Sequence, residues 1–280
     1  MRFTGLLVIA AMGCSGQTPH RSVEGYIESV FEQQAGQLPR MGWFAPEYGF
    51  IARESAAAEL VVLGPLGTGA VGRRSGRLSG RAWGRRAEYG IGCELSETDS
   101  VGVYRVQGET RPRRALYLTR KMRGEVRRGL VIVGMDGAAL ARVNRLLGWP
   151  ERGALRRDTA YGVSGESLSY SRHRLYDAKT KLLREEAILL HGGDGGIIAH
   201  AVHRGIDTGG HCDGCAAPSY GVEVSGLYRP LQMFGLPGFA YPVLLLDTST
   251  FENEGLTLLT VTPGGNVTQF RVSEYVMHCR

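Results

Sequence analysis

Two kinds of hydrophobic patterning alternate along the chain. Val23, Tyr26, Ile27, Val30 and Phe31 recur at three- and four-residue spacing behind Ser22, a residue suited to an N-cap, and the run stops at Gly36 and Pro39. That spacing predicts one amphipathic helix early in the chain, its apolar stripe turned to a core. From residue 48 the period changes. Short runs of β-branched and aromatic residues between glycines predict strands over 48–53, 59–63, 87–95, 101–106, 115–119 and 129–133. Polar, turn-forming stretches at 96–100 and 108–112 make antiparallel hairpins the natural joins. A second helix is predicted over 138–147, opened by Asp136-Gly137 and stopped by Gly148 and Pro150.

Beyond residue 160 the pattern is again that of strands, over 186–191, 197–203, 243–249, 256–262, 267–272 and 275–279. Gly192-Gly193-Asp194-Gly195-Gly196 reads as a five-residue hairpin loop and Pro263-Gly264-Gly265 as a second turn. Each follows a Leu-Leu run and precedes an alternating strand, a faint sign of internal duplication. The expectation is a mainly β fold of the α+β kind, with antiparallel sheets or a meander and two short helices, supported by disulfides. Residues 23–150, with the first helix and a basic segment, and residues 160–280 form its two β-rich regions, with a boundary near 150–160.

The start of the chain has a different character. Met1-Arg2 precedes an apolar run of about ten residues, the length of a secretory signal core and half of what a bilayer span requires. Ala11-Met12-Gly13-Cys14 follows directly, then Ser15-Gly16-Gln17. This resembles the lipobox of bacterial lipoproteins, with alanine where leucine is preferred. The resemblance covers the leader alone. It implies a signal peptide over 1–13, acylation of Cys14 as the mature N-terminus, a polar tether over 14–22 and residence in the cell envelope. Ser15 in place of an acidic residue points, by the same resemblance, to the outer membrane.

Export changes the reading of the cysteines. Of the five, Cys14 goes to the anchor, and Cys93, Cys212, Cys215 and Cys279 remain, an even number in a compartment where disulfides persist. Three pairings are possible. A local Cys212–Cys215 bond across the tight Asp213-Gly214 turn, with Cys93–Cys279 joining distant segments, is preferred, and a crossed pairing stays open.

Composition and charge sharpen the picture in one place. With 43% hydrophobic and 21% charged residues, the 280-residue chain is neither disordered nor a membrane bundle. Its net charge of +6 is the sum of unlike parts: residues 72–157 hold 20 basic and 8 acidic residues, a local +12, and the rest is −6. Within the basic part, Gly-Arg recurs at 72–73, 76–77, 80–81 and 84–85. In an extended chain that period of four sets Arg73, Arg77, Arg81 and Arg85 along one side with Ser75, Ser79 and Trp83. Such a row suits phosphates or carboxylates, which guanidinium groups grip in pairs of hydrogen bonds. The plain alternative is a solvated arm.

The other motifs exclude more than they assign. Gly67-Thr68-Gly69-Ala70-Val71-Gly72 matches a dinucleotide loop, but the glycine-rich stretch after it cannot open the helix that the pyrophosphate requires. His200 and His203, three apart on a strand, point to opposite faces, and Cys212 with Cys215 lacks a second pair at zinc spacing. Gly165-Glu166-Ser167-Leu168-Ser169 departs from a nucleophile elbow. Asp194, Asp207 and Asp247 are isolated acids. No catalytic residue, metal ligand or cofactor is assigned.

The functional expectation is a membrane-anchored envelope protein that binds rather than catalyses. Its partner would be an anionic envelope lipid or polymer, or an envelope protein, and not nucleic acid. An envelope hydrolase using acidic residues of the C-terminal half, or a metal or redox protein centred on Cys212 and Cys215, is the alternative.

Overall fold

The structure is a computed structural model that describes residues 23, 25–45, 47–64, 67–80, 82, 99–107, 114–119, 122, 130–133, 137–149, 155–163, 168–179, 181, 183–204, 229–248 and 253–275. The five cysteines, the leader, the tether, Arg81, Arg85 and the expected strand at 87–95 lie outside these residues. The described part is mainly antiparallel β with two helices, α1 (Tyr26–Ala35) and α2 (Gly137–Leu147). Among these residues no helix is long and apolar enough to cross a membrane.

Six strands, β1 (Arg40–Ala45), β2 (Gly49–Ala52), β3 (Glu59–Gly64), β4 (Gly67–Ser79), β5 (Ser100–Val106) and β6 (Arg114–Leu118), close into a barrel in the order β1-β2-β5-β4-β3-β6. A six-stranded barrel is narrow enough for side chains to fill. Phe50, Leu60, Val62, Tyr104, Ala115 and Tyr117 do so, all buried. Gly102 leaves room for the ring of Tyr104, since a Cβ there would stand 2.6 Å from it. The Tyr104 hydroxyl meets the backbone carbonyls of Glu54 and Ala57, so it closes the 53–58 loop over the barrel. Burial pushes its phenol up to about 12.

The remaining strands form two meanders. One contains β7 (Leu130–Val133), β8 (Leu155–Val163), β9 (Ser169–Tyr176), β10 (Leu183–His191) and β11 (Ile197–Arg204). The other contains β12 (Arg229–Phe234), β13 (Val243–Asp247), β14 (Asn253–Val261) and β15 (Val267–Tyr275). β7 pairs with β8, so backbone hydrogen bonding runs across the expected boundary at 150–160. The hairpins β10–β11 and β14–β15 turn in the same way. Gly192 N–H donates to Gly196 O and Gly195 N–H to Gly192 O; Thr262 N–H donates to Asn266 O and Gly265 N–H to Thr262 O. Gly195 and Gly265 both take the left-handed φ that this turn requires.

The β12–β15 sheet lies in the middle. Val243 and Leu245 of β13 pack with Leu256 and Leu258 against α1 and the outer wall of the barrel, including Met41, Trp43, Leu116 and Leu118. Leu244 and Leu246 point the other way and pack with Leu259 and Val261 against Tyr170, Ile188 and Leu190 of the five-stranded sheet. The far face of that sheet is covered by α2 through Val143, Leu147 and Trp149 on Leu175, Ala187 and Leu189. The layers therefore run barrel, middle sheet, five-stranded sheet, helix.

Helix ends follow local chemistry. α1 begins at Tyr26 behind Gly25, with no side-chain cap, rather than behind Ser22. Gly36 ends it in the left-handed region, its N–H donating to Phe31 and Glu32 carbonyls. α2 ends at Gly148 in the same conformation, with Gly148 N–H on Asn144 O.

Two buried ion pairs hold the sheets, one between layers and one within the five-stranded sheet. Arg114 of β6 donates through Nη2 to Asp247 of β13 at 3.1 and 3.3 Å, joining barrel to middle sheet. Arg172 Nε meets Glu186 Oε1 at 2.6 Å, with the glutamate side chain fully buried. Removing one partner of such a pair leaves a charge uncompensated in a poor solvent for it. Asp247→Asn should cost about 3–5 kcal/mol of stability in urea unfolding, while replacing both Asp247 and Arg114 by apolar residues should recover most of it.

Candidate functional site: a cationic strand and a buried polar relay

The arginine-bearing segment is strand β4, between β3 and β5. Its Gly67–Gly72 stretch is strand as well, without the helix that a dinucleotide loop opens. The register shifts between Arg74 and Gly76, and that bulge breaks the period of four. Arg73 stands opposite Arg105 on one face, while Arg77 stands opposite Gly102 on the other, the face of Tyr104 and Arg74. The same-face row expected for Arg73 and Arg77 is thus interrupted.

The two faces do different work. Arg74 Nη1 donates to the carbonyls of Ser55 and Ala56, at 3.1 and 3.0 Å, and Arg77 Nε donates to Ser55 O at 3.2 Å. These two arginines staple the 53–58 loop. Arg73 instead lies in a row with Glu59 on β3 and Arg105 on β5, bonded to Glu59 at 3.3 Å with 80% of its side chain exposed. An exposed pair of this kind contributes little, and like charges directly opposite on neighbouring strands repel.

A second cluster lies on the face of the five-stranded sheet beneath α2. β8 pairs Asp158 with His173, so both side chains share a face, and Ser171 and His191 fall on it by alternation along β9 and β10. His173 Nδ1 lies 2.6 Å from Asp158 Oδ1, His173 Nε2 lies 2.7 Å from Ser171 Oγ, and Ser171 Oγ lies 2.5 Å from His191 Nε2. Arg156 Nη2 donates to the same Asp158 oxygen at 2.9 Å. Burial acts to raise the Asp158 carboxyl, but the hydrogen bond from His173 and the charge of Arg156 outweigh it and hold the group below the usual carboxylate range. Burial and the neighbouring His173 hold the His191 ring below the usual imidazole range.

Carboxylate, imidazole and hydroxyl occur here in the order of a hydrolytic triad, with Nδ1 on the acid and Nε2 on the serine. Two features set it apart from a working one. Ser171 and His173 are both 0% exposed, and a second imidazole, His191, also hydrogen-bonds Ser171 Oγ. Sequence reasoning passed over this cluster. Its one local signal is Ser171-Arg172-His173 at strand period two.

The remaining candidates have structural partners or fall outside the described residues. Asp194 accepts from Gly196 N–H within its turn, and Asp247 is bonded to Arg114. His200 and His203 pair with Leu189 and Glu186, at register positions of opposite faces. Asp207, His211, Cys212, Cys215 and Ser167 are outside. Among the described residues no group of three or more His, Cys, Asp or Glu side chains is placed to hold a metal ion. Compared with protein-family models, curated proteins and solved structures, the chain matches none.

Proposed function

We propose that the chain is an exported lipoprotein, acylated at Cys14, whose mature part is a binding module presenting the Arg73–Arg105 face of its barrel to an anionic partner at the envelope. Cys93, Cys212, Cys215 and Cys279 form its disulfides, and Arg81 and Arg85 extend the cationic segment. The observation that carries the reading is the cross-strand pair itself. Two guanidinium groups stand opposite each other on an outward face, with one exposed carboxylate in their row, an arrangement that an external phosphate or carboxylate relieves. Anionic lipid or polymer fits this better than nucleic acid, given the compartment the leader implies.

The competing hydrolase reading now has a specific constellation, Asp158–His173–Ser171. Full burial and the second imidazole on Ser171 weigh against a nucleophile. A metal or redox centre at Cys212 and Cys215 gains no support from the described residues.

The mature chain carrying Cys14→Ser, so that no acyl group contributes, should bind phosphatidylglycerol vesicles and not phosphatidylcholine ones, with affinity falling as salt rises. Arg73→Gln with Arg105→Gln should weaken that binding more than tenfold, at about 1 kcal/mol per arginine; undiminished binding would contradict the proposal. The native protein should leave a fluorophosphonate probe unreacted. Labelling that disappears in Ser171→Ala would move the balance to the hydrolase.

A further inference from the structure

One mouth of the barrel closes over two arginines. On a regular strand Arg74 and Arg77, three residues apart, would point to opposite faces. The bulge at Ser75 turns both to the inward face of β4, the face of Tyr104. There they meet the 53–58 loop, whose four successive carbonyls from Glu54 to Ala57 are all contacted by side chains of β4 and β5. Tyr104 Oη meets Glu54 O and Ala57 O, Arg74 Nη1 donates to Ser55 O and Ala56 O, and Arg77 Nε donates to Ser55 O.

The two guanidinium groups therefore stand side by side on one neutral oxygen, Ser55 O, at 3.1 and 3.2 Å. A carbonyl holds them in place without cancelling their charge. Arg74 engages only Nη1 and Arg77 only Nε, and both residues are exposed, so the remaining N–H groups of the two forks have no acceptor among the described residues. Glu54 and Asp99 are the acids nearest in sequence to these contacts. Glu54 Oε1 turns back to Ala56 N–H at 3.4 Å, and neither acid forms an ion pair with Arg74 or Arg77. Ser100 Oγ donates to Ser55 Oγ at 3.3 Å, which leaves the Ser55 hydroxyl hydrogen for a further acceptor.

We propose that this mouth of the barrel is a binding site for a phosphate group, gripped by Arg74 and Arg77 together and by the Ser55 hydroxyl. Two fixed cations match the charge of a phosphate dianion, and its oxygens suit the planar forks. The loop carbonyls have already ordered both side chains, so binding sacrifices less side-chain freedom than it would at a mobile arginine pair. The bulge gains a purpose here, because a strand without it would offer one arginine to each face.

The site lies on the face of β4 opposite Arg73 and Arg105 and does not depend on the anionic surface proposed for them. Those two stand on an outward face, where an extended array of charges can meet them. Arg74 and Arg77 instead converge on one oxygen beside a loop, an arrangement sized for a single small group. The ligand is thus inorganic phosphate or a soluble phosphate monoester, both of which carry the dianion, and not the singly charged diester of a phospholipid.

The test titrates the mature chain carrying Cys14→Ser with inorganic phosphate at constant ionic strength. The guanidinium N–H resonances of Arg74 and Arg77 should shift and saturate, those of Arg73 and Arg105 should stay, and chloride should produce no saturable change. Glycerol 3-phosphate should reproduce the shifts. Arg77→Gln should weaken phosphate binding by at least about tenfold, the loss expected for a charged hydrogen-bond partner, and should leave sedimentation with phosphatidylglycerol vesicles nearly unchanged. Arg73→Gln with Arg105→Gln should do the reverse. A native chain that shows no saturation, phosphate binding undiminished by Arg77→Gln, or a variant that loses the vesicles but not the phosphate would each overturn the site. If Arg77→Gln does not fold, the native titration decides, by whether Arg74 and Arg77 saturate while Arg73 and Arg105 do not.

Discussion

A sheet that is apolar on both faces cannot exist alone in water, and the rest of the molecule follows from that constraint. All five residues of β13 are buried, and their side chains alternate between two separate cores. Each leucine so buried contributes about 2 kcal/mol when covered and costs the same when bared. The barrel with α1 supplies one cover and the five-stranded sheet supplies the other. The Arg114–Asp247 pair fixes where the first cover sits, because a buried charge accepts only one placement of its partner.

The outer cover has its own second face, and α2 is what closes it. Leu175, Ala187 and Leu189 meet Val143, Leu147 and Trp149 there, a smaller apolar contact than either core of the middle sheet. Polar fastenings make up the difference. Trp149 Nε1 donates to Glu185 at 2.8 Å, the Arg156 guanidinium lies 5.3 Å from the Trp149 ring centroid and donates to Asn144, and Arg142 donates to Gly195 O at 3.3 Å. A helix held by a smaller apolar contact opens at lower cost than the two cores of the middle sheet.

Much of this was legible in the sequence wherever a local rule decides the outcome. The second helix and the Gly192–Gly196 hairpin were fixed by end signals and turn glycines, and the repeated Leu-Leu-to-glycine pattern does correspond to two hairpins with identical turn bonding. β8 and β9 were missed because Arg156, Asp158, Ser171 and His173 look like solvated positions. Ser171 and His173 are buried, and the cluster forms by pairing across strands: Asp158 lies 15 residues before His173 while His191 lies 20 after Ser171, so only register brings them together. The expected alignment of Arg73 with Arg77 fails for a related reason: a single bulge at Ser75 sets Arg77 on the other face of the strand. That β13 stands between two covers was equally hidden, since a short apolar run does not say how many layers will meet it.

The dependence of both covers on the middle sheet is most directly tested by native-state hydrogen exchange on the intact chain. The backbone amides of 244–246 and 257–259 should be the slowest in the protein and should exchange together at the free energy of global unfolding, while β11 and α2 open at lower cost. Exchange of the β13 amides as fast as those of β11 would contradict the account.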